Sequence, residues 1–390
     1  MSETLKYSVR PGTIRTLSIL CAIGGGLTIL GLFLAPSSVW PNILIAAQLV
    51  IELGLGGIVF VAIMYVSNAG WSVVFRRVPE SMSSILPIAG IVMVLMVFGI
   101  HTLYEWSHAS AVAKDALLQL KSSYLNVPFF IARLVAYFII WIAFARIIRR
   151  NSERQDEHNS IALTAKNVRW SAAFLVIAAI TIWLASTDWV MSLEPHWFST
   201  IFGMYHMAGV LLSGVAGVSL LTIVLHRRNA FDAPVREEHF HDLGKLLFAF
   251  SVFWMYIWFS QYLLIWYANI PEETGYFIRR ENSGWLTFTV LNVLFNWLLP
   301  FIALLSAAAK RREGMLLKVS IIVLIGRWID YYWMIAPPFN PDAPALGIWE
   351  LAPVLALVAA FFLVTLKSFS KRNPVPINDP YLVESLNYHT

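Results

Sequence analysis

The sequence has only one cysteine, Cys21, among its 390 residues. A single cysteine closes no disulfide within the chain, holds no iron–sulfur cluster and provides no CxxCH motif for haem c. The sequence also shows no pattern typical of a metal site or a catalytic centre. We therefore expect this chain to bind no cofactor, and any redox centre that it serves to belong to another subunit.

Charged residues are scarce as well, at 13% of the chain, whereas 58% of the residues are hydrophobic. Soluble proteins have about 25% charged and about 45–50% apolar residues, so this composition excludes a soluble globular domain. The net charge of +5 is divided among short segments between apolar runs. This distribution excludes the continuous basic face of a nucleic-acid-binding protein. The composition is that of a polytopic membrane protein.

Long apolar runs are what the sequence has in abundance. A helix needs about 20 apolar residues to span the hydrocarbon layer of a membrane. The first run lacks the small residues of a signal-peptide cleavage site. The sequence predicts an all-α membrane protein with ten transmembrane helices, at 16–35, 41–66, 84–104, 127–148, 169–190, 200–225, 245–267, 284–308, 317–336 and 347–367.

Lysine and arginine residues indicate how these helices are oriented, because cytoplasmic loops hold the excess of both. They cluster before the first helix, after helices 2, 4, 6 and 8, and in the tail after helix 10. Apart from residues within two positions of the end of a span, only Arg133 and Arg327 lie inside predicted spans. We therefore expect a multi-pass protein with both termini in the cytoplasm.

A faint internal repeat divides the chain. Predicted helices 2 and 6 are rich in glycine, and predicted helices 5 and 9 end with Asp188 and Asp330, each among aromatic residues. Duplicated bundles are one membrane design that places a site between two halves. We expect a single membrane domain, 1–390, with a first four-helix bundle at 41–190, a second at 200–336, helices 1 and 10 outside them, and a cytoplasmic tail at 368–390.

Glu52 lies near the middle of predicted helix 2, on one helical face with Gln48 and Gly56. An ionisable side chain at the centre of a span costs about 2.5–3.5 kcal/mol on insertion scales, so its presence needs a reason. Two interpretations stand side by side. Glu52 is either a carboxylate that carries protons or lines a quinone pocket, or a glutamic acid that is hydrogen-bonded to a neighbouring helix.

Two arginines within the spans also need partners. Arg327 and Asp330 are three residues apart on predicted helix 9, so a local ion pair is available to them. Arg133 has no acidic neighbour on its own helix, and its natural partners are Asp188 and Glu350.

Uncharged polar residues in the spans indicate contacts between helices. Asn292 and Asn296 are one turn apart on predicted helix 8, as expected of interhelical hydrogen-bonding groups. The ridge of Gly209, Ser213 and Gly217 predicts close packing of helix 6.

The ionisable groups suggest a path for protons from the outer face of the membrane to its midplane. They lie in the outer halves of their helices, apart from Glu52 near the middle, and the inner halves hold only weaker polar groups. His206 is the only histidine well inside a span, which favours a hydrogen-bonded side chain over a haem ligand. We expect the path to use Glu52, Gln48, His206, Asp188 and Arg133, with Asp330, Arg327 and Tyr331 as a second branch in the other bundle.

Four stretches resemble one family of membrane subunits. They are the run from Lys121 to Arg133, which contains YLNVPFF, the segment from His101 to His108, and the tail segments 374–380 and 384–386. On these residues the chain resembles the NrfD-like family of polysulfide reductase membrane subunits, and within it the ActF-type subunits of bacterial alternative complex III. The resemblance covers nearly the whole chain, and the run before Arg133 is its most specific part.

The resemblance implies a subunit of a respiratory complex in the bacterial inner membrane, which oxidises quinol and reduces a periplasmic cytochrome c or an oxidase. It implies that quinol is bound mainly by an ActC-like sister subunit, and that haem c and iron–sulfur clusters belong to partners. The expected partners of this chain are the sister subunit, an iron–sulfur subunit, multihaem cytochrome c subunits, membrane lipids and a terminal oxidase. This chain would have no catalytic activity by itself, and it would provide a proton-conducting half channel.

The sequence leaves two other functions open. A secondary transporter or channel also has duplicated bundles and buried charges, but its helices break at Pro or Gly near the midplane. The prolines here cluster at the ends of the predicted helices, which weighs against it. A purely structural scaffold subunit would use every polar group for packing.

Overall fold

The computed structural model describes residues 7–158, 160–282 and 284–389, and this part of the chain is helical and contains no strand. Its long helices, numbered α1 to α10 in chain order, are Pro11–Leu34, Pro36–Val66, Arg77–Leu103, Val127–Glu157, Ile161–Trp189, Phe202–His226, Glu237–Ala268, Trp285–Ala303, Glu313–Ile335 and Ile348–Ser370. Nine of these helices in the described chain, all but α9, are long and apolar enough to cross a membrane. The described residues therefore form an all-helical, multi-pass membrane protein.

The long helices follow the predicted apolar runs in order, but several extend beyond them. α2 begins at Pro36, and α4 continues past its apolar run to Glu157. A helix continues through polar sequence wherever its backbone hydrogen bonds are satisfied. Hydropathy therefore predicts only the apolar part of each helix. α9 carries Lys318, Arg327 and Asp330 along its length and is more polar than its neighbours.

α2 and α6 lie at the centre of the molecule. α2 packs against α3, α5, α6, α9 and α10, and α6 packs against α2, α5, α7 and α9. The two helices cross at Gly56 and Gly214, where a Cβ atom on either residue would overlap the backbone of the other. Gly217 also packs against Leu53 of α2. The predicted close packing along the small-residue ridge of α6 is therefore confirmed.

α1 and α10 form the periphery. They pack along each other, and both contact α2. Gly24 of α1 makes the closest approach, because a Cβ atom there would overlap the backbone of Ala352 and Ala356 on α10. α1 is mostly exposed on its other side, as expected of a helix that faces lipid.

α8 is interrupted by a π-helical turn at Leu294–Leu298. Pro300 has no backbone N–H to donate to the carbonyl of Asn296, four residues before it. The hydroxyl of Ser251 on α7 donates to that carbonyl instead, at 2.7 Å. Such turns are frequent at functional sites, and this one places the Asn296 side chain in the protein core.

The tail after α10 folds back onto the rest of the chain. The Asp379 carboxylate forms a buried ion pair with Arg76, which lies between α2 and α3. The hydroxyl of Ser385 donates to the carbonyl of Trp71 in the same loop, at 2.7 Å. The predicted tail is thus part of the folded structure, except that its last residue, Thr390, lies outside the described residues.

Candidate functional site

Glu52 is buried between three helices, with 1% of its surface exposed. Its Oε1 atom accepts hydrogen bonds from Arg327 Nη2 and from the Tyr331 hydroxyl, both at 2.8 Å. Its Oε2 atom accepts from the Ser213 hydroxyl at 2.6 Å and from Arg327 Nε at 3.2 Å. Every one of these donors comes from α6 or α9, so Glu52 joins α2 to both helices through an ion pair.

Asp330 is the second carboxylate beside Arg327. Arg327 Nη1 donates to Asp330 Oδ2 at 2.5 Å, which confirms the local ion pair expected from their spacing. Asn292 Nδ2 of α8 donates to Asp330 Oδ1 at 2.7 Å, and the Tyr205 hydroxyl of α6 donates to the same oxygen. Asn296 Nδ2 in turn donates to the side-chain oxygen of Asn292 at 2.7 Å.

These contacts form one buried network that joins α2, α6, α8 and α9. We call it the Arg327 network, and its members are Glu52, Arg327, Asp330, Tyr331, Ser213, Tyr205, Asn292 and Asn296. It contains two carboxyl groups and one guanidinium, so two ionised carboxylates would leave a net charge of −1. An uncompensated buried charge is costly. One bound proton would remove that charge.

Gly209 provides the space in which the network assembles. A Cβ atom at this position of α6 would overlap both Arg327 Nη2 and Glu52 Oε1. Gly326 on α9 similarly gives room to the side chain of Asn296. The glycines of α6 and α9 thus serve the polar network as well as the packing of the helices.

Arg133 and Asp188 form a separate ion pair between α4 and α5. Arg133 Nε and Nη2 each lie 2.9 Å from an oxygen of Asp188, and the Tyr137 hydroxyl donates to the same carboxylate at 2.8 Å. Arg133 also donates to the carbonyl of Tyr124 at 3.0 Å. Burial, and then the nearby Asp188 carboxylate, raise the pKa of Tyr124 to about 12. This pair is balanced in charge, one guanidinium to one carboxylate.

The two aspartates that end α5 and α9 therefore have related environments. Each is bound by side chains of the preceding helix, Asp188 by Arg133 and Tyr137 of α4, and Asp330 by Asn292 of α8. The difference lies in the charge of their partners. Asp188 has a guanidinium to itself, whereas Asp330 shares the guanidinium of its own helix with Glu52.

The structure brings only some residues of the expected proton path into contact with one another. Tyr331, assigned from the sequence to a second branch with Asp330, donates a hydrogen bond to Glu52, because α9 packs directly on α2. The His206 ring lies 5.8 Å from the Tyr331 ring, and His206 Nδ1 lies 3.3 Å from the Phe202 carbonyl. The buried Gln48 Nε2 and His206 Nε2 atoms have no hydrogen-bond partner among the described residues.

Some members of the network carried no functional signal in the sequence. Ser213 belongs to a ridge that predicts packing, and Asn292 has the spacing of an interhelical hydrogen-bonding residue. Tyr205 directly precedes His206 at the start of α6, and only its position on the helix places its hydroxyl beside Asp330. The signal in the sequence is that several polar side chains occur on α2, α6 and α9, of which α2 and α6 are rich in glycine and α9 carries charged residues.

Among the described residues, no group of three or more His, Cys, Asp or Glu side chains is arranged to hold a metal ion. Comparison with protein-family models and with curated proteins finds no match for this chain.

Proposed function

We propose that this chain is a membrane subunit of a quinol-oxidising respiratory complex of the alternative complex III type, and that its Arg327 network holds one exchangeable proton. The resemblance around residues 121–133 supports the type of complex. One observation carries the proposed role within it. Glu52 and Asp330, two buried carboxyl groups, share the single guanidinium of Arg327.

The proposed topology has ten spans and both termini on the cytoplasmic side of the bacterial inner membrane. α9 would be the tenth span, because its charged residues Arg327 and Asp330 face protein partners and not lipid. The packing of α2 with α3 and α5, and of α6 with α7 and α9, supports two four-helix bundles, 41–190 and 200–336. The Arg327 network would lie where these bundles meet.

In this proposal the proton alternates between Glu52 and Asp330. Arg327 contacts both, so it can pair with whichever carboxyl group is ionised while the other carries the proton. The Tyr331 and Tyr205 hydroxyls donate to the two carboxyl groups and stabilise their ionised forms. The net charge of the network stays at zero in either state.

The proposed route from the network leads toward the end of the molecule where α2 begins and α5 ends. Gln48 lies one turn from Glu52 in that direction, and His206, near the start of α6, contacts Tyr331. The Arg133–Asp188 pair lies in the same half of the molecule. A half channel of this kind would open on one side of the membrane only.

The proposed subunit works with partners that hold the redox centres. Quinol would be bound mainly by an ActC-like sister subunit, and electrons would pass through iron–sulfur clusters and haem c in other subunits. Purification in mild detergent tests this part of the proposal. Co-purifying c-type haem and iron–sulfur proteins would support it, whereas a chain that purifies alone and transports a solute would support a transporter.

The proton role is tested with Glu52→Gln in the intact complex. The variant removes one titrating group and keeps an acceptor for Arg327, so quinol oxidation in detergent should change little. In sealed vesicles, proton uptake or release coupled to quinol oxidation should fall. Glu350→Gln removes another buried glutamate, on α10, and should leave coupling intact. Full coupling in Glu52→Gln would instead support a scaffold, in which the network only holds the helices together.

A further inference from the structure

A second polar site lies where α3, α4 and α10 leave their apolar runs. Ser84 is the first residue of the third predicted run, while Arg149 and Ser368 each directly follow the end of theirs, 127–148 and 347–367. These three residues are therefore at one level, the boundary between the apolar and polar parts of the molecule. In a membrane protein, phospholipid headgroups lie at that boundary.

Arg149 is bonded there by hydroxyl groups. Its Nη1 atom donates to Ser84 Oγ at 2.8 Å and to Ser83 Oγ at 3.3 Å, and its Nη2 atom donates to Ser368 Oγ at 3.2 Å. The Ser84 hydroxyl donates to that of Ser368 at 2.8 Å, which joins α3 to α10. Within the described chain, no carboxylate lies within ion-pair distance of this guanidinium. Its charge is therefore not neutralised by a direct partner.

Arg372, just after α10, adds a second guanidinium. Its Nε atom is paired with Glu153 of α4, one turn beyond Arg149. Its Nη1 atom is buried and has no acceptor in the described part of the protein. Four exposed cations continue the positive surface on the same two helix ends: Arg146, Arg150, Lys367 and Lys371.

We propose that Arg149, Arg372, Ser84 and Ser368 bind the phosphate group of an anionic phospholipid. Guanidinium groups bind phosphate through paired charge-assisted hydrogen bonds, and the serine hydroxyls can turn to donate to further phosphate oxygens. Basic pockets between membrane helices at the polar boundary are typical sites for anionic headgroups. The exposed apolar faces of α3 and α4 above this site would contact the acyl chains. This lipid site is separate from the Arg327 network and does not depend on its role.

The test uses the full-length protein in nanodiscs with equal amounts of phosphatidylglycerol and phosphatidylcholine, followed by native mass spectrometry of the retained lipid. The wild type should retain phosphatidylglycerol in preference. Arg149→Gln should lower that retention about five-fold, the effect of one cation near a membrane surface. Ser368→Ala keeps every charge and should also lower it, which guards against a folding defect in the arginine variant.

Arg169→Gln is the matched control, because it removes one exposed arginine from α5 at the same end of the molecule. It should leave lipid retention unchanged. Equal loss in Arg169→Gln and Arg149→Gln would overturn the site in favour of general surface attraction. Equal retention of both lipids by the wild type would also overturn it. Calorimetry with inorganic phosphate distinguishes a lipid headgroup from a free anion. If the wild type retained both lipids equally but bound inorganic phosphate, and Arg149→Gln did not bind it, the site would bind a free anion and not a lipid.

Discussion

At the scale of single residues, Arg327 contacts two carboxyl groups with one guanidinium. Its Nη2 atom lies 2.8 Å from Glu52, and its Nη1 atom lies 2.5 Å from Asp330. All three side chains are almost completely buried. Removing one partner of a buried ion pair is costly because the remaining charge has neither water nor a counter-ion.

We therefore expect Arg327→Gln to destabilise the protein by about 3–5 kcal/mol, because it leaves two carboxyl groups without a cation. Unfolding in detergent, followed by circular dichroism, measures the effect. Arg279→Gln is the control, since Arg279 is 41% exposed and its pair with Glu194 should contribute less than about 1 kcal/mol. Similar small losses in both variants would show that Arg327 does not hold the network together.

Gly209→Ala tests whether the network needs the space on α6. The added methyl group would overlap Arg327 and Glu52, and overpacking of this kind costs about 1–3 kcal/mol. Gly25→Ala on α1 is the matched control, because a Cβ atom there meets nothing within 4 Å and alanine favours the helix. An unfolding midpoint in Gly209→Ala as high as that in Gly25→Ala would contradict the close fit.

The sequence identifies the ionisable members of the network and misses how they meet. Glu52 is conspicuous because it interrupts an apolar run, and Arg327 with Asp330 has the spacing of an ion pair. The contact between Glu52 and Arg327 joins residues on distant helices. It depends on how α2 and α9 are rotated about their own axes and on how they cross. The sequence of an apolar helix without a marked polar stripe does not predict that rotation.

At the scale of structural elements, hydropathy predicts where the long helices lie and not where they end. The helices of the connecting segments are harder to predict than the long helices, because they are short and polar. The amphipathic helix Pro271–Glu281 was not predicted, although Arg280 at its end is buried and bonded to Glu194 at 2.8 Å. Its apolar side is covered by residues from other segments, such as Trp197, which stacks on Tyr276.

The short helix Ala116–Lys121 begins at Asp115, which caps it. Asp115 Oδ1 accepts from the backbone amides of Leu117 and Leu118, at 2.8 and 3.1 Å, and Oδ2 lies 2.6 Å from His196 Nε2. The hydrogen bond from His196, and then these amides, lower the pKa of Asp115. A lowered pKa means that the cap stabilises the helix above the ordinary aspartate value of about 3.9 and is lost as the pH falls through the lower folded value.

We expect the amides of Leu117 and Leu118 to lose protection from hydrogen exchange as the pH falls through the lowered pKa at which the Asp115 carboxylate of the folded protein becomes protonated. Exchange is measured relative to the rates of an unstructured peptide at each pH. Asp115→Asn keeps an oxygen for the cap but does not titrate, so its protection should not change over this range. The same loss of protection in the variant would rule out the aspartate as its cause.

At the scale of the whole molecule, the tail connects segments that are far apart in the sequence. Asp379 pairs with Arg76 before α3, and the Tyr388 hydroxyl donates to Asp242 of α7 at 2.6 Å. The tail thus bridges the first and second halves of the chain on one end of the bundle. The sequence predicts a tail at 368–390, and nothing in its pattern indicates that the tail binds to the rest of the same chain.

We expect Asp379→Asn to lower the stability of the isolated chain by about 1.5–3 kcal/mol, because Arg76 loses the charged acceptor of a buried hydrogen bond. Thermal unfolding in detergent, without partner subunits, measures the change. Asp342→Asn alters an exposed aspartate and should shift stability by less than about 0.5 kcal/mol. If Asp379→Asn also had no effect, the tail would not stabilise this chain.

The proposed function requires Glu52, Arg327 and Asp330 to hold one proton together. Infrared spectroscopy tests it most directly, because a protonated carboxyl group has its own C=O stretching band and an ionised one does not. We expect such a band in the wild type, with a shift in deuterated water and a loss in Glu52→Gln. It should persist in Asp188→Asn, since Asp188 has its own guanidinium. A Glu52→Gln spectrum with the band unchanged would contradict the claim and leave the network a purely structural ion cluster.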